Sequence, residues 1–171
     1  MKKIAIFGKN HAIVEQESKR DSIRVVNNRI IIKTHERSPE DLLKEFLAER
    51  LYSELIKIYE QIRKEGKFEI FGDLDFEIVE KIDNKKQRIA KQKGNKILVK
   101  LNAVVLPKSA LRYVIAHKIA HIFTKRHTKK FWKIVRTIYP NFEVGQNLLE
   151  KHKEFLLDSP FVRIQDTSKL T

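Results

Sequence analysis

Cysteine is absent from this chain of 171 residues, and glycine and proline are scarce. Without cysteine the protein has neither a disulfide framework nor a thiolate ligand for a metal, as is typical of a reducing compartment such as the cytosol. No apolar run approaches the roughly 20 residues that cross a bilayer, and the apolar patch Ile4–Phe7 is too short for a signal peptide. We therefore expect a cytoplasmic protein that does not enter a membrane.

Acidic residues are missing from one long internal stretch. Residues 84–142 contain sixteen Lys or Arg and no Asp or Glu, within a chain of net charge +14. A field of this sign attracts acidic proteins and nucleic acids, although no recognised nucleic-acid motif accompanies it and a merely solvated surface is an equal alternative. The cations that we expect to contact a substrate, DNA or RNA are Lys96, Lys100, Lys125, Arg126, Lys129 and Lys130.

Three of the six histidines fall within eleven residues of this stretch. His117 and His121 are four apart, so on a helix their imidazoles share one face. The five residues that follow are enough to end the helix and bring His127 back to the same point. Zinc accepts three such nitrogens and keeps an open position for water. The spacing therefore predicts one zinc ion at these histidines, although a pair alone could be ordinary surface residues.

Lysine occupies the position at which such a site normally carries its general base. In a His-Glu-x-x-His motif the glutamate accepts a proton from metal-bound water, and here that residue is Lys118. An ammonium group cannot accept a proton, and it repels a divalent ion. Lysine could serve as a base only if burial and zinc lowered its pKa strongly. We expect weak or absent hydrolysis, whether Lys118 is a natural loss or a deliberate change. A replacement base would have to come from Glu143, Glu150 or a distant strand.

The surroundings of the histidines carry a family resemblance. The matching residues are Leu106-Pro107, Tyr113-Val114-Ile115-Ala116-His117, His121, His127-Thr128, Phe131-Trp132 and Tyr139-Pro140. In these the chain resembles the YgjP-like zinc metallopeptidases, which are related to WLM and SprT-like proteases. The resemblance implies zinc at the three histidines, peptide-bond hydrolysis as the family reaction, and a protein or peptide substrate. It also implies that position 118 belongs to the catalytic glutamate.

The chain departs from the family pattern near the site as well. Arg126 and Thr128 replace the usual Asn and Ser around the third histidine, and the family's Trp-Gly-Ser is not found near Arg88–Lys91. The metzincin motif, which shares the histidine spacing, has glycine where Thr124 stands and a Met-turn for which this chain offers only Met1. Enzymatic activity is therefore left open. The alternative function is a non-catalytic module that binds nucleic acid or acidic protein on the same fold.

Local patterns predict an α+β fold in one domain, residues 1–157, with a tail over 158–171. Residues 1–35 read as an antiparallel meander with a turn at Asn27-Asn28. Residues 38–65 read as a long helix with Ser38 as its cap and Gly66 as its stop. A zincin-like core over 68–157 would follow.

Within that core we expect two strands, Phe68–Phe71 and Leu74–Ile82, and a basic loop over 84–95. The strand Lys96–Leu101 should be half-buried, and by analogy with the family it should pair with an extended substrate. Three helices should follow, over about 107–123, 128–138 and 143–157. On the second of these, Phe131 and Trp132 either wall the zinc site or simply belong to the core.

Overall fold

The structure, a computed structural model, describes residues 2–66 and 73–153. In these ranges the chain forms seven strands and four α-helices, which confirms the α+β class. The predicted strand Phe68–Phe71, the last residues of the predicted final helix and the predicted tail lie outside the described residues. No helix in the described part of the chain is long and apolar enough to cross a membrane. The elements are β1 Lys3–Ile6, β2 Lys9–Glu17, β3 Ser22–Val26, β4 Arg29–Thr34, α1 Pro39–Lys64, β5 Asp75–Val79, β6 Ala90–Lys93, β7 Lys96–Lys100, a 3-10 turn Leu101–Val105, α2 Lys108–Phe123, α3 Lys129–Ile138 and α4 Phe142–Lys151.

The first sheet has the order β1-β2-β4-β3, and it is mixed. Its two hairpins are antiparallel, and Asn27 and Asn28 turn the second one with φ of 47° and 61°. The prediction of an antiparallel meander is nevertheless wrong, because β2 lies beside β4 in parallel. Strand β4 carries the most completely buried side chains of this sheet, Ile30 and Ile32. It takes an interior position of the sheet, which leaves β3 at the outer edge.

Helix α1 begins and ends as its sequence predicts. The Ser38 hydroxyl accepts a hydrogen bond from the backbone N–H of Asp41 at 3.1 Å, and Gly66 follows the helix with φ of +66°. Its apolar stripe is buried in the same core as both sheets. Burial of this stripe, more than helix propensity, holds so long a helix in place. The stripe consists of Leu42, Leu43, Leu47, Leu51, Leu55, Ile58, Tyr59 and Ile62.

The second sheet has the order β5-β7-β6, with β7 in the centre. Strand β7 pairs in parallel with β5 and antiparallel with β6, so both of its edges are already hydrogen-bonded. The prediction that this strand pairs with a substrate is therefore wrong. The edge strands of this sheet are β5 and β6, and β6 lies inside the segment predicted as a basic loop. The pattern missed β6 because Ala90 is its only apolar residue.

Helix α2 is fixed by contacts on two sides. The N–H groups of Phe7 and Gly8 donate to the carbonyls of Val104 and Val105 at 2.8 and 3.0 Å, just before the helix. On the other side α4 approaches so closely that a Cβ on Gly145 would lie 2.8 Å from the Cβ of Tyr113. Real Cβ atoms do not approach so closely, so only glycine fits this crossing.

Candidate metal centre and the adjoining cleft

Three imidazoles converge at the C-terminal end of α2. His117 and His121 lie one helical turn apart, and the connection after Thr124 returns His127 to the same place. One nitrogen from each ring lies within 4.8 Å of the other two. The Nε2 atoms of His121 and His127 are 3.2 Å apart. Nitrogens bound to one tetrahedral zinc at about 2.0–2.1 Å are roughly 3.4 Å from each other. The spacing therefore suits a shared ion.

The hydrogen bonding of His121 favours the tautomer that a metal needs. Its Nδ1 lies 3.3 Å from the carbonyl oxygen of Thr124. A carbonyl can only accept, so Nδ1 carries the proton and donates it there. The lone pair is then on Nε2, the atom that faces His127. Such an outer hydrogen bond orients an imidazole ligand toward its metal.

Burial keeps two of these rings neutral. It lowers the pKa of His117 to about 3, with the positive charge of Lys118 as the next cause. Burial also lowers the pKa of His121, again with Lys118 adding to it. A metal binds the neutral imidazole, so these rings are ready as ligands at neutral pH. Three neutral nitrogen donors form a set that zinc accepts.

Aromatic rings close the back of the cluster. Phe131 is fully buried, and its ring centroid lies 5.0, 4.7 and 4.8 Å from those of His117, His121 and His127. The half-buried Trp132 stacks near His127 at 6.1 Å. The two expectations for this pair are thus not exclusive, since Phe131 is a core residue and also walls the histidines. Apolar walls limit the access of water to a metal centre.

A cleft of about 810 Å³ opens beside His117. Its walls are the segment 85–90, one side of α2 and the last turns of α4. Lys118 lines it and is half-buried. Burial lowers the pKa of this ammonium, and the positive charge of Arg88 lowers it further. Lys118 has no carboxylate partner among the described residues.

One of the two acids considered as replacement bases lines this cleft, and the other does not. Glu150 is the sole carboxylate among the described lining residues, and it pairs with Lys153 at 2.9 Å. Glu143 pairs with Arg136 at 2.6 Å and is not part of the lining. The side chains that face the cleft beside Lys118 are otherwise neutral or basic.

The six cations expected to contact a polyanion lie in three different settings. Four of them are exposed in and after the connection from α2 to α3: Lys125, Arg126, Lys129 and Lys130. Lys96 is exposed at the hairpin turn and pairs with Glu77 at 3.5 Å. Lys100 instead points inward with 5% exposure, and its ammonium donates to the carbonyls of Lys85 and Lys86 at 2.6 and 3.1 Å.

The sequence did not single out Lys85, Lys86 and Arg88 as lining residues of the cleft. They were part of the predicted basic loop, and no spacing rule connects that loop to α2. Their positive charge, with no acid in the same stretch, was the signal available. Only the pairing of β6 with β7 brings them beside His117.

Comparison with known proteins gives one match. The family described as YgjP-like, metallopeptidase domain, matches residues 1–152. No curated protein and no solved structure matches the chain. The match covers the N-terminal sheet as well as the histidine cluster, and it confirms the resemblance noted from the motif. The chain belongs to the YgjP-like metallopeptidase family.

Proposed function

We propose that this protein is a zinc-binding member of the family in which peptide hydrolysis is impaired by the lysine at position 118. The observation that carries the proposal is the convergence of three imidazole nitrogens within 4.8 Å, with Lys118 on the same helix facing the adjoining cleft. The family is one of metallopeptidases, so its substrates are proteins or peptides. Whether the fold still hydrolyses them depends on the groups beside the histidines.

His117, His121 and His127 would hold the ion. Bound zinc polarises a carbonyl and lowers the pKa of water. The chain must then supply a group that accepts a proton, and a carboxylate is the usual one. Lys118 offers an ammonium that repels a cation and, while protonated, accepts nothing. Glu150 is engaged by Lys153.

The metal part of the proposal is tested by elemental analysis of protein purified without added metal. We expect about one zinc per chain. His121→Ala should lose most of it, because this imidazole is the one already oriented by the Thr124 carbonyl. His35→Ala is the matched control, since His35 is exposed and does not belong to the histidine cluster. Absence of zinc from the unsubstituted protein would overturn this part.

The catalytic part is tested by restoring the carboxylate. Lys118→Glu should create peptide cleavage that a chelator abolishes, by about 100-fold or more over the unsubstituted protein. Lys118→Gln removes the positive charge without supplying a base, so it should give little gain. Lys57→Glu makes the same charge change on the exposed face of α1. Equal cleavage by the unsubstituted protein and Lys118→Glu would contradict impairment.

A second candidate function is the binding of a polyanion such as DNA or RNA at the connection after α2. It is favoured by the exposure of Lys125, Arg126, Lys129 and Lys130, none of which forms an ion pair with another described residue. Neutralising all four should then reduce oligonucleotide affinity and flatten its dependence on salt. Affinity that barely changes between 50 and 200 mM salt would exclude this function.

A further inference from the structure

The cleft beside His117 has more positive charge than its own carboxylates balance. We propose that it is a binding site for an acidic segment of a polypeptide, recognised by Lys85 and Lys86. This inference rests on the proposed function in one respect, namely that the family's polypeptide substrate occupies this cleft. It adds the chemical character of the segment that is preferred.

The ion pairs around the cleft show which cations are available to a ligand. Arg88 is held by Asp83 at 2.9 Å, and Lys153 is held by Glu150 at 2.9 Å. Lys85 and Lys86 are exposed, line the cleft, and have no ion-pair partner among the described residues. An incoming carboxylate can therefore pair with these two ammonium groups without displacing an existing partner.

The backbone that carries these two lysines is held in one conformation by hydrogen bonds. The buried ammonium of Lys100 donates to both of their carbonyls, and the N–H of Lys100 donates to the Ile89 carbonyl at 2.8 Å. A hydrogen bond from the Arg88 N–H to the Lys85 carbonyl closes a turn over residues 85–88. A charged donor inside the protein fixes the loop from beneath. Fixed backbone reduces the entropy that a ligand must overcome on binding.

The rest of the lining suits an extended polypeptide better than a nucleic acid. The open edge of β6 begins at Ala90 in the cleft wall, and backbone pairing at such an edge is a common mode of peptide recognition. Single-stranded nucleic acids are usually held by exposed aromatic rings. The aromatic ring of this lining, apart from the His117 imidazole, is Tyr113, which is 6% exposed and packs against Phe142.

The test compares two peptides on the zinc-loaded full chain. Both carry a neutral dye and have the same length, and one has glutamates where the other has glutamines. Fluorescence anisotropy should show that the Glu peptide binds about tenfold more tightly. Lys85→Gln with Lys86→Gln should remove most of this preference, with Lys118 as the remaining unpaired ammonium of the described lining, and should leave the Gln peptide unaffected. Lys57→Gln with Lys64→Gln makes the same charge change on exposed sites of α1 and should keep the preference.

Three results would overturn the inference. Equal affinity for the two peptides means that the cleft does not select acidic segments. An equal loss in both double variants means that only the overall charge acts. Displacement of the Glu peptide by a single-stranded oligonucleotide that binds more tightly, and that depends on Lys85 and Lys86, assigns the site to nucleic acid. Zinc content is measured on the same protein and cleavage on its Lys118→Glu variant, so a failed peptide preference with intact zinc and restored cleavage leaves the proposed function standing.

Discussion

Two hairpins of this molecule have nearly the same pattern, and only one of them borders the candidate metal centre. Strands β3 and β4 are joined by a two-residue turn, as are β6 and β7. The second strand of each reads cation, Ile, aliphatic, aliphatic, Lys: residues 29–33 in β4 and residues 96–100 in β7. Each second strand is interior in its sheet and pairs in parallel with an earlier strand.

The hairpins differ in their neighbours. The last lysine of β4, Lys33, is half-buried at the end of the first sheet. The matching Lys100 is buried beneath the cleft wall. The edge strand β6 lies beside α2, which carries His117 and His121, whereas β3 lies against α1. A shared strand pattern therefore does not predict a shared role. The helix that packs on the edge strand decides whether the hairpin borders a site.

The largest effect should come from the helix crossing that gives the second hairpin its neighbour. Gly145→Ala places a methyl group against Tyr113 and the Ser109 carbonyl. Overpacking of this kind costs about 3 kcal/mol, and the better helix propensity of alanine returns about 1 kcal/mol. Denaturant unfolding should therefore show a net loss of about 2 kcal/mol. Asn147→Ala on the exposed face of α4 is the control and should change stability by less than about 0.5 kcal/mol. If Gly145→Ala leaves stability unchanged, α2 and α4 can separate at this crossing at little cost to admit the methyl group.

The two matched lysines allow the comparison to be tested directly. Lys100→Met keeps the length of the side chain and removes the donor to two backbone carbonyls. We expect unfolding free energy to fall by about 1–2 kcal/mol, because acceptors are left unpaired beneath the loop. Lys33→Met should change it by less than about 0.5 kcal/mol. Similar losses in the two variants would mean that burial does not distinguish these hairpins.

The hairpin turns should show the smallest difference. Gly94 has φ of +61° with open space around it, so Gly94→Ala meets strain but no clash. That strain costs about 1 kcal/mol. Asn28 has the same φ of 61°. Asparagine is itself partly strained in this conformation, whereas glycine is not, so Asn28→Ala adds less strain than Gly94→Ala and should cost about 0.5 kcal/mol. Thermal unfolding of the two variants shows which of them loses more stability. The reverse order would show that the first turn is the more constrained of the two.

Much of the fold was predictable because its signals are local. The cap at Ser38, the stop at Gly66 and the apolar stripe between them fix α1 within a residue or two. Thr128 likewise caps α3 by accepting a hydrogen bond from the Phe131 N–H. Each of these signals acts between residues at most four apart, so no knowledge of the rest of the chain is needed.

The sheets were only partly predictable. The turn at Gly94-Asn95 was recognised, yet β6 before it was not, because its residues are polar and show no alternation. The parallel pairing of β2 with β4 was missed as well. Strand pairing joins residues that are distant along the chain, and a hairpin pattern does not state which strand will lie on its far side.

By itself, the sequence determined which residues could form a metal site, because two histidines one helical turn apart and a third after a short connection are brought together by local geometry. It also led to the prediction that Lys118 stands at the position of the family's general base. Only the tertiary structure decided that Lys100 is buried, that β6 borders a cleft, and that Lys85 and Lys86 reach the vicinity of His117. The physical reason is that burial and cleft formation depend on which helix packs against which strand edge, a contact between elements far apart in the chain.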